Sequence, residues 1–505
     1  MSEQQLNLGS VWQKVDFPNF PALQEDIEVD VAIAGGGLTG ITTAYLLTEA
    51  GKKVAVLDAT KIGGGTTGHT TAKITAQHDV IYHEFLSHIG KEQTKLYYKA
   101  QDEAISWIRN FVNNQNIECD FHDEDHYLYA TTHHGEHKLK RELEAYKQLG
   151  IPGEWLTSLP IPLDIRAALR LKGQARFHPL QYLAYLCQKI SEKGGLIYEN
   201  TVCEKVIQGN DKRPAIQTRG GAKVTAKKVV AATHFPFADG GGLYMTRLRA
   251  DRSYVVAGTC AKPWPGGMYL SVDQTSRSLR SATINGEEMI LVGGEGHKAG
   301  QGMNALKHYD AVKQFATETL EGFTQEDQWA TQDLITLDKL PYIGQLSALQ
   351  PDVLVATGFR KWGMTNSAVA AHVLCDLIVD GNSLYSQLFK PSRFHADPSI
   401  RYFLKENADV AKHLLRGKLH QDIEHVEELE AGEGAVIDKD GERVGAYRDK
   451  DGTLHLVDTT CTHMGCEVNW NHADNTWDCP CHGSRFSYTG DVIEGPAKKP
   501  LGKKE

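Results

Sequence analysis

Apolar positions along this chain follow the rhythms of strands and helices in alternation. From Ile27 to Ile33 the residues are mostly β-branched and predict a buried strand. Ile41, Ala44, Tyr45 and Leu47 then recur at helical spacing through Ala50. Gly51 ends that helix, and Lys53–Leu57 predict a second strand closed by Asp58. Phe177–Leu180 open another helix ahead of Gly194 and Gly195, Val229–Thr233 read as a returning strand, and Val355–Thr365 run from strand into helix. Alternating apolar residues over 201–224 predict a small antiparallel excursion. Tyr254–Ala257, Met289–Gly294 and Leu340–Gly344 read as the substrate-facing strands. Charge rises from Lys405 to Glu430, ending in an acidic run, and predicts a helix and linker. Glu433–Leu456 then alternates in short strands with turns at Lys439–Gly441 and Asp449–Gly452, an all-β signature.

At 505 residues the chain exceeds one hydrophobic core, so two or three domains are expected. Its 48 glycines and 17 prolines suit a loop-rich α/β protein. A net charge of −10, with scattered Lys and Arg, argues against nucleic acid or an anionic membrane as partner. No export signal is read in Met1–Val15, and no apolar run reaches the length of a membrane span, so a cytoplasmic protein is expected. Of nine cysteines, Cys119, Cys187, Cys203, Cys260 and Cys375 are isolated and read as reduced core residues.

The first strand runs directly into Gly35-Gly-Gly37-Leu-Thr-Gly40 and a helix, which is the dinucleotide fingerprint in its required context. Gly35 permits the tight turn, Gly37 lets backbone approach a pyrophosphate, and Gly40 lets helix pack on strand. The helix N-terminus favours the phosphates, and Asp58 can accept from ribose hydroxyls. The fingerprint alone does not choose between NAD and FAD.

Near the carboxyl end, Cys461-Thr-His463 and Cys479-Pro-Cys481-His482 each supply a thiol and an imidazole. Two thiolates and two histidines are what a Rieske [2Fe–2S] centre requires. A structural zinc site also takes two of each, but its thiols usually precede its histidines, whereas here they alternate.

These boxes resemble the Rieske family over about the last eighty residues. The resemblance implies Cys461, His463, Cys479 and His482 as ligands and a Cys466–Cys481 disulfide joining the two loops. It also implies a Ser484 hydroxyl bonded to a cluster sulfide, with Pro496 in a covering loop. Phe486 stands where the cytochrome-complex branch has a tyrosine, and a phenyl ring cannot donate to a thiolate. Residues 27–400 resemble the D-amino-acid-oxidase-like superfamily, on the fingerprint, the small-residue loop Gly63–Ala72, and the later segments near Phe177, Val229 and Val355. That resemblance implies FAD held by Gly35, Gly37, Gly40, Asp58, Thr66, Thr67, His69, Cys203, Thr233, Gly358, Gly363, Met364 and Thr365. His69 resembles a histidine that some relatives join covalently to flavin; a non-covalent pocket histidine is the other reading.

Histidines 122, 126, 133, 134 and 137 share no ligand face and are expected on a solvated hairpin and helix. No substrate-clamping arginine is evident near Trp329; Arg252, Arg360 and Lys361 are candidate cations.

The expected fold is α/β: a Rossmann-like FAD-binding domain with an inserted α+β substrate domain, plus a C-terminal all-β Rieske domain. Residues 1–410 would form the oxidoreductase domain, with substrate segments about 80–175 and 240–345. Residues 411–425 would be the linker and 426–505 the Rieske domain. The expected activity is an FAD-dependent dehydrogenase of amines or amino acids that passes electrons between flavin and cluster, and on to an external donor or acceptor. An O₂-using oxidase with a structural cluster, and a redox carrier without organic substrate, are the other readings.

Overall fold

The structure, a computed structural model, describes residues 9–504 apart from 210, 302–303, 417–425, 427–428 and 440. β1 (Ile27–Ala34) leads into α1 (Leu38–Glu49) and then β2 (Val54–Leu57). The last four residues of β1 and all of β2 are buried, so their apolar runs are continuous rather than alternating. β1 pairs in parallel with Lys223–Ala231 on one side and β2 on the other. The sheet extends through Leu196–Tyr198 at one end and through Gln350–Thr357 and Tyr342–Ser347 at the other. Cys203–Gln208 and Pro214–Thr218 form the expected antiparallel excursion.

The strand near Leu340 differs from expectation. Tyr342–Ser347 joins this first sheet, antiparallel to Gln350–Thr357, instead of the substrate-facing one. Only Ala348 and Leu349 separate the two strands, and a two-residue connection favours pairing of the strands it joins.

A second, nine-stranded sheet is built from residues 73–74, 122–176 and 248–336. Its long strand Leu248–Thr259 pairs antiparallel with both Glu287–Lys298 and Thr324–Thr336. His126 lies within this sheet and is fully buried, its Nδ1 2.8 Å from Gln77 Oε1. The solvated reading fails for this histidine because its strand is paired on both sides, with Ala167–Arg176 and Met268–Ser271.

α2 (Gly363–Val379) packs on α1 beside the first sheet. α3 (Ala396–Arg416) runs past residue 410, so part of the expected linker is helix; residues 417–425 of it lie outside the described residues. The carboxyl-terminal domain holds a three-stranded and a four-stranded antiparallel sheet. Val410 and Leu414 of α3 pack on its core, and the Val410 carbonyl lies 4.0 Å from Cys481 Sγ. Among the described residues no helix is long and apolar enough to cross a membrane.

Candidate functional site

Gly35 adopts φ 103°, and a Cβ there would run into the Ala232 carbonyl; one at Gly40 would strike the Gly35 oxygen. Both positions therefore need glycine for strand, turn and helix to meet. Asp58 Oδ2 accepts from Gly36 N at 2.8 Å, and Oδ1 accepts from Thr60 N at 2.8 Å. Burial raises this carboxyl, and the two backbone N–H groups oppose the rise. Thr67 Oγ1 accepts from Leu38 N at 3.1 Å, so the small-residue loop caps the start of α1.

These groups open onto one cavity of about 970 Å³. Gly35, Gly37, Asp58, Thr66, Thr67, Cys203, Thr233, Gly358, Gly363 and Met364 all line it. Three expected residues do not. Gly40 is enclosed by backbone, and Thr365 Oγ1 lies 3.0 Å from His78 Nε2. His69 turns its Nδ1 to Gly65 O, 2.9 Å away in its own short helical turn, so its ring is not brought to the cavity.

The same cavity is lined by Ser253, His297 and Asp333 of the second sheet, by His308 of the helix Ala305–Thr319, and by Lys361 in the turn before α2. Tyr254 stacks on His297 and His308 at 5.6 and 5.0 Å between ring centroids. Burial raises Asp333 to about 6, against the pull of Lys361. Arg252 is not free to clamp a substrate, because it is 2% exposed and ion-paired with Asp474. Arg360 donates through Nη2 to His78 O at 2.8 Å.

Sequence reasoning missed Trp12. It is fully buried, donates from Nε1 to Thr70 O at 2.7 Å, and carries the Arg280 guanidinium 5.2 Å from its ring. It thereby props the loop that caps α1. Only the presence of a large aromatic in an otherwise polar terminus hinted at it. The pair His78 and Trp362 was also missed; the rings stack 4.8 Å apart just before α2.

In the last domain Cys461 and Cys479 are both buried and lie close together. The Cys479 contact and the N–H groups of His463 and Met464 lower the Cys461 thiol, while the same contact and burial raise Cys479. The His463 and His482 rings lie 5.0 Å apart at 89°. Burial lowers His482 to about 4, and it lowers His463 as well, so both imidazoles are neutral. His482 Nδ1 is buried without a partner. A buried imidazole nitrogen with no partner is what a metal-ligating atom looks like once the metal is removed. Cys466 and Cys481 form a disulfide, which leaves Cys461 and Cys479 as the thiols of the site, although three sulfurs including the bridged pair cluster within 4.8 Å. Ser484 is fully buried, and its Oγ accepts from Ala497 N at 3.0 Å. Cys481 and His482 line the same cavity as Gly35 and Asp58.

The family model for FAD dependent oxidoreductases (DAO) matches residues 30–377, and that for the Rieske [2Fe-2S] domain matches residues 420–504. The chain belongs to the DAO family of FAD-dependent oxidoreductases and carries a Rieske domain. It is 50% identical over 486 residues to YhfW of Bacillus subtilis (strain 168), a protein named for a Rieske 2Fe-2S iron-sulfur centre, covering 96% of this chain and 95% of the relative. It is 23% identical over 387 residues to gamma-glutamylputrescine oxidoreductase of Escherichia coli (strain K12), covering 71% of this chain and 85% of that one. L-proline dehydrogenase of P. horikoshii shares the fold with a TM-score of 0.62 and 18% identity, over 74% of this chain and 98% of that chain. The cofactors of this DAO–Rieske enzyme are FAD and a [2Fe–2S] cluster. The residues present fit both: a glycine-walled cavity meets the helix N-termini of α1 and α2, and two buried thiols with two imidazoles 5.0 Å apart supply the four donors a Rieske cluster takes.

Proposed function

We propose that this protein is an FAD-dependent dehydrogenase of amines or amino acids that passes electrons singly between its flavin and its Rieske cluster. The observation that carries the reading is the shared cavity: His482 opens onto the space lined by the dinucleotide glycines. When bound, FAD supplies two-electron hydride chemistry and the cluster one-electron exchange.

The chain's own groups have distinct tasks. Gly35, Gly37 and the N-terminus of α1 receive the pyrophosphate, while Asp58 faces the ribose. Gly363 and Met364 start α2, whose positive end stabilises negative charge on the flavin ring. The substrate lies against Ser253, His297, Trp362 and Lys361. Cys461 and Cys479 would hold one iron and His463 and His482 the other, and His482 lies on the wall of the flavin cavity. The relatives named for an amine-derived substrate and for L-proline support the substrate class.

Candidate amines and amino acids added without oxygen test this directly. Loss of flavin absorbance followed by the cluster's low-temperature EPR signal is expected. A flavin that bleaches while the cluster stays oxidised would refute the reading.

A further inference from the structure

Two residues of the second sheet reach out of the flavin domain and grip the cluster domain. Arg252 and Gln332 are direct cross-strand partners on Leu248–Thr259 and Thr324–Thr336. Both are essentially buried, at 2% and 1% exposure. Arg252 Nη2 pairs with Asp474, which Arg485 holds at 3.3 Å and Asn471 at 3.0 Å, with the Tyr309 hydroxyl at 3.4 Å. Gln332 Nε2 donates to Gly483 O at 2.9 Å, within the loop between His482 and Ser484. The Gln332 main-chain carbonyl in turn accepts from Thr66 Oγ1 at 3.3 Å, on the loop that caps α1. One residue thus bonds both to the flavin-side loop and to the cluster loop.

The fit around this pair is close. A Cβ at Gly483 would press on Ala250 and the Gln332 amide, and one at Gly300 would meet the Cys479–Pro480 backbone at 2.6 Å. Gln301 Nε2 adds a bond to Pro480 O at 3.0 Å. A cluster domain that swung away would strip a buried guanidinium of its carboxylate and leave polar groups without partners.

We propose that Arg252 and Gln332 are positioning residues that hold the cluster loop docked at the flavin cavity, so that exchange between the two centres needs no domain swing. The electron-transfer part rests on the function proposed above; the docking part does not.

Both parts are tested on the full-length protein with FAD and cluster bound. Spin labels attached through unnatural residues at exposed Lys95 and Lys450 report the distance between the domains. Wild type is expected to give one narrow distribution, Arg252→Gln and Gln332→Met broad ones, and Arg252→Lys a narrow one again. A broad wild-type distribution, or variants as narrow as wild type, would overturn the docking role. Internal cluster reduction after flavin photoreduction is then followed as sucrose raises the viscosity. The wild-type rate is expected to stay flat while that of Gln332→Met falls in proportion to viscosity. A wild-type rate that falls likewise overturns ungated exchange. Complete absence of cluster reduction in a narrowly docked wild type sinks the electron-passing function and leaves the docking role standing on the distances.

Discussion

His482 presents its ring edge-on to His463, centroids 5.0 Å apart, with its buried Nδ1 unpartnered and the residue itself on the wall of the flavin cavity. Replacing it by serine removes one of two neutral imidazoles. His482→Ser is expected to lose the cluster's visible and EPR signatures and most of its iron, while FAD content stays near wild type. Iron and flavin analysis of the purified variant checks both halves.

The Cys466–Cys481 bridge closes a segment of 15 residues and ties together the two loops that carry the site. Loop-closure entropy for a ring of that size is worth about 3 kcal/mol. The double variant Cys466→Ser, Cys481→Ser should therefore lose its cluster at lower denaturant than wild type, by a shift of that order. Circular dichroism of the cluster during a denaturant titration measures it, and dithiothreitol should move wild type toward the variant.

Asp58 is the acceptor for two backbone N–H groups, of Gly36 and Thr60. Asp58→Ala leaves both donors without a partner, at a cost of about 1–3 kcal/mol each where buried. The variant also removes the carboxylate that faces the ribose in the proposed complex; a hydrogen bond to a charged group is worth about 1.5–3 kcal/mol, so a fall in FAD affinity of at least about tenfold is expected. Equilibrium titration of the apoprotein with FAD reads it out.

Trp12 fills a site against His178 and Arg280 and bonds to Thr70 O. Truncating a fully buried tryptophan costs about 3–5 kcal/mol. Trp12→Ala should lower the thermal midpoint and, because Thr70 sits in the loop that caps α1, weaken FAD retention as well.

Asp338 is forked by Arg393 at 2.7 and 2.8 Å and touched by His395 Nδ1 at 3.0 Å. Burial alone would raise its carboxyl, but the guanidinium and the imidazole outweigh burial and hold it well below the ordinary value of 3.8. A carboxyl depressed in the folded state stabilises above its unfolded value and loses that contribution as pH falls through its folded one. Asp338→Asn is expected to be less stable by about 3–5 kcal/mol at pH 7. That gap should hold steady down to about pH 5 and close as the solution is acidified further. Urea titrations across pH track the difference.

Much of the fold was legible because local chemistry and global topology agree at the strand, glycine, helix and acid of residues 27–58. The two Cys/His boxes carried equal weight, since four ligand types at short spacing leave few alternatives. What stayed hidden depends on contacts distant in sequence. Nothing in the neighbourhood of Arg252 announces that its partner is Asp474, and nothing near Gln332 points to Gly483. His126 reads as polar in its own segment and becomes core only because strands from 167–176 and 268–271 close over it. Tyr342–Ser347 was assigned to the wrong sheet because an apolar strand does not state its neighbour, whereas its two-residue connection to Gln350 does. At His69 a local likeness says nothing of where the ring goes; the short helical turn sets that, bringing its Nδ1 to Gly65 O.

α3 has a kinetic consequence. The helix ends the oxidoreductase domain, and its Val410 and Leu414 already sit on the core of the cluster domain. On the proposed function, neither centre therefore has to find the other by free diffusion. Any reaction between them is first order in protein, and diluting the enzyme changes how often it meets its substrate but not how quickly its two halves communicate.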